Sequence, residues 1–334
     1  MKRIVDFVQK HPAVWPILGC LVFLVMIAGL TGSPDANVLF TTARLATFAA
    51  LLGLAQMVVV TSGDGAIDLS QVYVLTLCAY ASTTLMDVNP VLGFVVAVLI
   101  GGLAGLVNGL INIYLKIPAM VTTLATGYLY FTVILIGSSH MKVLPHPGFV
   151  DLITGGVGPV STQTIVVVMV ALVLAVVLYR TPYGKQLHAI GQNRNAAHLA
   201  GIPTNRVVIT AFVVGGLLSG LAGVIAAAVM GGAFQDMGMS YFLPSVAATF
   251  VGGTAASGGR SSVLGVAFGA LMMTLMSSFL NTTESMFNLV SGIKQLIMGT
   301  FLVLILFVSV AGVKRRRQTV AATTAPAMAS NESL

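Results

Sequence analysis

The stretch RTPYGKQLHAIGQNRNAAHLAGIPTNR, residues 180–206, carries Arg180, Lys185, Arg194 and Arg206, with His188 and His198 between them and no Asp or Glu. Long apolar runs adjoin it on both sides, at about residues 162–179 and 207–230. Positive charge crowded at the ends of apolar spans is retained on the cytoplasmic side of a bilayer. The pattern therefore predicts a cytoplasmic loop of an all-α, multispanning membrane protein. Two helix-forming pieces, KQLHAI and AAHLAG, are separated by Gly191, Gln192 and Asn193, which are expected to make a turn. Such an element offers a rigid lever to another subunit; a solvated basic loop is the plainer alternative.

Composition supports the membrane reading. The 334 residues are 57% hydrophobic and 7% charged, against roughly 45–50% and about 25% in soluble proteins. So few charges cannot cover a soluble surface. The net charge of +7 is scattered in short clusters between apolar runs, which excludes a broad nucleic-acid-binding face. Cys20 and Cys78 each sit inside an apolar run and read as buried small hydrophobes. The first apolar run, to Leu30, lacks a small-residue cleavage site and is expected to be a retained helix.

Hydropathy predicts about ten spans, some short or broken, near residues 14–30, 41–60, 70–86, 91–113, 119–137, 162–179, 207–229, 241–256, 262–280 and 290–311. With both termini cytoplasmic, thirteen of the sixteen Lys and Arg fall inside, leaving Arg44, Lys142 and Lys294 outside. The organisation expected is a cytoplasmic segment at 1–13, a transmembrane domain at 14–312 whose cytoplasmic loop spans 180–206, and a basic, then disordered tail at 313–334. The longest outer segment, about residues 140–162, is expected to carry a short interfacial helix. Small residues recur four apart at Gly101, Gly105 and Gly109, at Gly215, Ser219 and Gly223, and at Gly265 and Gly269. Such columns let two helix backbones approach closely.

Two stretches interrupt the apolar pattern. TSGDGAIDLS, residues 61–70, places Asp64 and Asp68 beside two glycines. It reads either as a broken helix or re-entrant turn facing a pathway, or as an inner loop with Asp68 capping the next helix and Ser70 adding a second hydrogen bond. YFLPSVAATFVGGTAASGGRSSVLG, residues 241–265, reads as a kinked helix and tight turn, or as a hinge. Gln56, Tyr73, Asn108, Asn112, Thr122 and Tyr128 lie within predicted spans and should face protein or a water-filled cavity. With Asp64, Asp68, Ser70, Phe242 and Pro244 they are the candidates for a translocation path or gate. They form no charged metal cage, which suits a neutral, hydroxyl-rich solute better than an ion. No catalytic constellation is present, and no GxxxxGK[ST] phosphate cradle, so any ATP hydrolysis is expected in a partner.

Four segments in order, TSGDGAIDLS at 61–70, LKIPAMVTTLA at 115–125, YGKQLHAIGQNRNAAHLAGI at 183–202 and VGGTAASGGRSSVLG at 251–265, resemble the permease of bacterial ribose, xylose, arabinose and galactoside ABC importers. The resemblance spans about residues 14–312 and implies a ten-helix, non-enzymatic subunit of the bacterial cytoplasmic (inner) membrane. It implies a second copy of the permease, or a related one, and a cytoplasmic ATPase with tandem nucleotide-binding domains that holds ATP and Mg. It also implies a periplasmic or lipid-anchored solute-binding protein. Tyr183, Gly184, Lys185, Ala189, Gly191, Asn193, Arg194, Ala196, Ala197 and Gly201 would then couple the permease to the ATPase. The chain departs from the family pattern at residues 63–68, at Gln71, Val72 and Tyr73, and at FLPS, residues 242–245. The competing readings are an ion-coupled secondary transporter, for which Asp64 and Asp68 are the acidic pair, and a non-transporting membrane scaffold.

Overall fold

The computed structural model describes residues 13–32, 36–158, 160–287, 292–305 and 307. In chain order its helices are α1 (Val14–Thr31), α2 (Ala36–Thr61), α3 (Gln71–Met86), α4 (Pro90–Tyr114), α5 (Ala119–Gly137), α6 (Pro147–Thr154), α7 (Thr162–Arg180), α8 (Pro182–Gln192), α9 (Arg194–Leu199), α10 (Thr204–Val229), α11 (Phe242–Val251), α12 (Val263–Phe287) and α13 (Gly292–Ile305). A small antiparallel ribbon, β1 (Gly156–Val157) and β2 (Val160–Ser161), follows α6. Among the described residues, seven helices, α1, α2, α4, α5, α7, α10 and α12, are long and apolar enough to cross a membrane. The other three predicted spans correspond to the shorter helices α3, α11 and α13. Of the predicted flanks, residues 1–12 and 313–334 lie outside the described residues, as do parts of the 290–311 run.

Local chemistry sets the helix boundaries. Asn89 caps α4, its Oδ1 accepting from Val91 and Leu92 amides at 2.9 and 3.1 Å, and Pro90 occupies the first helical position. Pro147 and Pro182 begin α6 and α8 in the same way. α6 is the short helix anticipated in the 140–162 segment. Hydroxyls within the spans return to their own helix: Thr61 donates to Met57 O at 2.6 Å, Thr76 to Val72 O at 3.0 Å and Ser219 to Gly215 O at 2.9 Å. That satisfies polar groups where no water is present.

The centre of the bundle is α2, packed against α10, α12, α11 and α7, with α4 closing over α10. Most of α2 is buried, including Phe48, Leu51, Leu52, Leu54 and Met57. The outer helices α1, α4, α5 and α7 instead present bare apolar faces, such as Leu21, Val22 and Val25 on α1 and Leu172, Val173 and Val176 on α7. Without lipid these faces would expose large apolar area to water, so they mark the perimeter in contact with acyl chains.

The small-residue columns pack within the chain. Gly101 and Gly105 let α4 lie against the backbone of α10 at Gly216, Gly220 and Phe212. A β-carbon on Gly105 would overlap the Phe212 carbonyl oxygen. Gly215 faces Val59 and Ala55 of α2, Gly223 meets Leu75 of α3, and Gly265 and Gly269 meet Gly252 and Ala248. Close approach replaces the hydrophobic driving force that is missing between helices in lipid.

Between α10 and α11 the chain does not simply turn at the surface. Ala233 N donates to Val143 O at 3.0 Å near the end of α5, and five residues later Gly238 N donates to the Thr76 hydroxyl of α3 at 3.1 Å. The Tyr241 ring then packs edge-on against Phe48, about halfway along α2, with centroids 5.3 Å apart. α11 therefore starts inside the bundle and runs only the remaining half, with Thr249 donating to Gly53 O at 2.9 Å. Non-helical backbone at this depth is tolerated because it is buried in protein.

Candidate functional site at the basic end

Four connections meet at one end of the bundle: residues 62–70, 115–118, 181–203 and 252–262. Lys116, Lys185, Arg180, Arg194, Arg206 and Arg260 belong to these connections or the helix ends beside them. The island forms two helices, α8 and α9. Their break falls at Asn193, whose Oδ1 accepts from Ala196 N at 3.0 Å and caps α9. The three-residue turn predicted at Gly191, Gln192 and Asn193 is corrected here, because Gly191 lies inside α8. Its role is close approach: a β-carbon there would overlap the Thr61 carbonyl oxygen and the Gly259 nitrogen.

Glycines from three connections touch at this point. A β-carbon on Gly63 would lie 2.9 Å from the Gly191 α-carbon, and one on Gly258 would lie 2.6 Å from the Gly63 nitrogen. Gly63 and Gly258 also have φ of +90° and +84°, a conformation open to glycine and strained for other residues. Gly259 N donates to Thr61 O at 3.0 Å.

Of the coupling candidates, Gly184, Gly191 and Ala197 are buried, Tyr183, Ala189 and Arg194 half-buried, and Lys185, Asn193, Ala196 and Gly201 exposed. Gly184 allows the corner between α7 and α8, where a β-carbon would overlap the Leu178 carbonyl. Burial pushes the Tyr183 phenol well above its usual range, so it stays neutral. Arg194 Nη1 pairs with Asp64 Oδ2 at 3.2 Å and Nη2 donates to Asn205 Oδ1 at 3.3 Å. Asp64, Asn112, Lys116, Arg194 and Asn205 line a cleft of about 470 Å³ between the 62–66 turn, the α4–α5 turn and the island.

Beneath the glycine contact runs a buried polar chain. Asp68 Oδ1 accepts from Ser70 N at 2.8 Å and from Ser70 Oγ at 2.6 Å. Ser70 Oγ accepts from Asn108 Nδ2 at 2.8 Å, and Asn108 Oδ1 accepts from Thr126 Oγ1 at 2.6 Å. Four residues from the 62–70 connection, α4 and α5 are thereby joined. Asp68 is the one buried charged side chain among the described residues. Burial raises its carboxyl above the usual range, and the two Ser70 bonds pull the other way. Gln56 and Gln71 form a second buried pair. In the amide orientation that satisfies both, Gln56 donates to the Gln71 carbonyl oxygen at 2.7 Å and to Asp68 O at 3.1 Å, and Gln71 donates to Leu52 O at 3.1 Å.

The expected helix cap at Asp68 needs correction. α3 begins at Gln71 with Ser70 in the capping position, and the Ser70 side chain turns back to Asp68 rather than to the helix. The remaining path candidates separate by burial. Gln56, Asp68, Ser70, Asn108, Thr122 and Pro244 are enclosed within the protomer, Tyr73, Asn112 and Phe242 are half-buried, and Asp64 and Tyr128 are exposed. Tyr73 joins Tyr128 and Phe131 in an aromatic set, with ring centroids 5.9 and 5.6 Å from its own.

Sequence reasoning missed Thr61, Thr126, Tyr179 and Ser261, and gave His188 no partner. His188 is half-buried and bridges to Ser261 at 3.0 Å. The SGGRSS run, residues 257–262, was the available signal, since its glycines and serines flank this contact. Among the described residues, no group of three or more His, Cys, Asp or Glu could hold a metal ion.

A bundle with lipid-facing perimeter helices, a central half-helix and an exposed amphipathic pair on a basic end is the architecture of a membrane permease subunit. The chain belongs to the branched-chain amino acid transport system / permease component family, whose pattern matches residues 38–309. It is 28% identical over 271 residues to the ribose import permease protein RbsC of Bacillus subtilis, covering 80% of this chain and 84% of that one. It is 27% identical over 280 residues to the D-allose transport system permease protein AlsC of Escherichia coli, covering 81% and 85%. Over 226 residues it is 30% identical to the autoinducer 2 import system permease protein LsrD of Escherichia coli, covering 65% and 68%. No solved structure gives a significant match.

Proposed function

We propose that this permease translocates a small neutral carbohydrate or polyol as the membrane subunit of an ATP-driven importer. Its partners in this reading are a second copy of the permease, a cytoplasmic ATPase with tandem nucleotide-binding domains, and a solute-binding protein on the far side. Both termini and the basic end face the cytoplasm, in a bacterial inner membrane crossed about ten times. Support for the solute class comes from the relatives named for ribose and allose import and from the path candidates Gln56, Ser70, Tyr73, Asn108, Asn112, Thr122 and Tyr128, which are amides, hydroxyls and phenols.

The observation that carries the reading is the island itself. α8 and α9 lie across the basic end, anchored by buried Leu187 and Ile190, while Leu199 is 87% exposed, the barest large hydrophobic among the described residues. An apolar knob on a basic, solvent-facing helix pair is what a protein partner would cover. The ATPase docks there, and the exposed residues Lys185, Asn193, Ala196 and Gly201 surround its footprint.

The deciding experiment is uptake into proteoliposomes holding the permease, its ATPase and its solute-binding protein, with labelled pentoses, hexoses and polyols. ATP-dependent accumulation of one of these is expected. Accumulation driven by a proton or sodium gradient without nucleotide would overturn the reading and favour ion-coupled transport, for which buried Asp68 is the natural carrier. Partner binding without flux would favour a scaffold.

A further inference from the structure

α8 and the last turn of α7 are both tied to the connection between α11 and α12. His188 Nδ1 donates to Gly184 O at 2.7 Å, which leaves Nε2 to accept from the Ser261 hydroxyl at 3.0 Å across 73 residues of sequence. Tyr179 OH donates to Ser261 O at 3.3 Å and accepts from Val263 N at 2.9 Å. Gln192 Nε2 reaches Gly259 O at 3.5 Å, and a β-carbon on Gly259 would lie 2.6 Å from Gln192 Cγ. Between these polar ties, the Gly191 backbone lies directly on Thr61 and Gly259.

Side-chain interfaces slide by exchanging rotamers, but a backbone-on-backbone contact has nothing to rearrange. It is either kept or lost, as packed protein interiors are bistable rather than continuously deformable. The 252–262 connection is also the end of α11, whose other end lies beside Phe48 in the middle of the bundle. Whatever holds α8 to this connection thereby ties the surface helix to the half-helix inside.

We propose that α8 and the 252–262 connection move as one body, with His188, Ser261 and Gly191 as positioning residues that deliver displacement of α8 to α11 and α12. This rests on the coupling reading above and names the route by which it works. A partner pushing on α8 shifts the inner half-helix through this connection, and the last turn of α7, tied to it by Tyr179, follows.

The test uses the reconstituted importer with Cys20→Ala and Cys78→Ala as background. H188C/S261C removes the polar tie and is expected to lower solute imported per ATP hydrolysed about fivefold, the scale of one lost hydrogen bond. A short bis-methanethiosulfonate bridge between the two cysteines is expected to restore the ratio, and reduction to abolish it again. A bridge that deepens the loss would mean that the two segments must slide, and would overturn the proposal. A second arm needs no transport. In the permease alone, in lipid nanodiscs, S261A is expected to speed amide exchange in residues 184–192 and 258–263 together. Acceleration confined to one segment would overturn the joint even where import is intact. Absence of ATP-driven uptake in the parent would instead sink the coupling reading and leave the exchange arm to decide the joint.

Discussion

Asn108 donates to the Ser70 hydroxyl at 2.8 Å across 38 residues of sequence, and its carbonyl oxygen takes the Thr126 hydroxyl on the opposite side. One amide thus fixes the spacing of the 62–70 connection, α4 and α5. Asn108→Leu keeps the approximate volume and removes both bonds, while Ser70 still donates to Asp68 and Thr126 to Thr122 O at 3.1 Å. The variant is expected to lose about 1–2 kcal/mol of stability, the net worth of two buried hydrogen bonds. Thermal unfolding in detergent measures it, and an unchanged midpoint would mean that the chain carries no structural load.

Asp68 gives a pH dependence with a definite sign. Its folded carboxyl titrates above the ordinary value near 3.9. The fold therefore binds more protons than the unfolded chain above that pH, and stability contributed by this group is lost as pH rises toward the folded pKa. Asp68→Asn keeps an oxygen for both Ser70 bonds and removes the titration. As pH rises from about 4 toward the folded pKa, the variant is expected to gain stability relative to the parent, by at most about 1.4 kcal/mol per pH unit. Parallel unfolding curves for the two proteins across that range would contradict it.

The Arg194–Asp64 pair is partly open to solvent, with side chains 32% and 70% exposed. Such pairs contribute about 0–1 kcal/mol, so D64N and R194Q are expected to unfold at nearly the parental temperature. Its use is to link the island to the 62–66 turn. R194D and D64R alone are expected to reduce solute imported per ATP, and R194D/D64R together to recover part of it. Equal losses in the single and double variants would separate the pair from coupling.

Gly191→Val puts a branched side chain where the Thr61 carbonyl and Gly259 backbone already sit. Membrane insertion is expected to survive, because the spans are untouched, while ATP-driven uptake falls more than about tenfold, a barrier change of roughly 1.4 kcal/mol or greater. Immunoblots of membrane fractions beside uptake assays check both halves. Uptake near the parental level would count against the close contact.

Much of the perimeter was legible in sequence because lipid imposes a simple rule: a helix in acyl chains must be apolar along its length. α5 and α7 accordingly fall at or within a residue of their hydropathy limits. The half-helix was harder. Residues 230–241 include Ala233, Phe234, Met237 and Met239, and hydropathy cannot tell a surface loop from one threaded down to Thr76. The glycine contact was harder again, since Gly63, Gly191 and Gly258 are far apart in sequence and their significance is purely their meeting in space. Asp64 and Asp68 looked alike as letters, yet one is solvated beside Arg194 and the other enclosed beneath Ser70. Only the path of the chain between them distinguishes the two.

The burial of α2 has a consequence for biogenesis. Its principal neighbours, α10 and α12, are synthesised more than a hundred residues later. When the ribosome has released α2, Gln56 and Thr249's future acceptor at Gly53 face either lipid or insertion machinery, with their eventual cover still unmade. The protein therefore closes around its second span from the C-terminal side, and a chain stopped before residue 204 lacks what that span needs for a home.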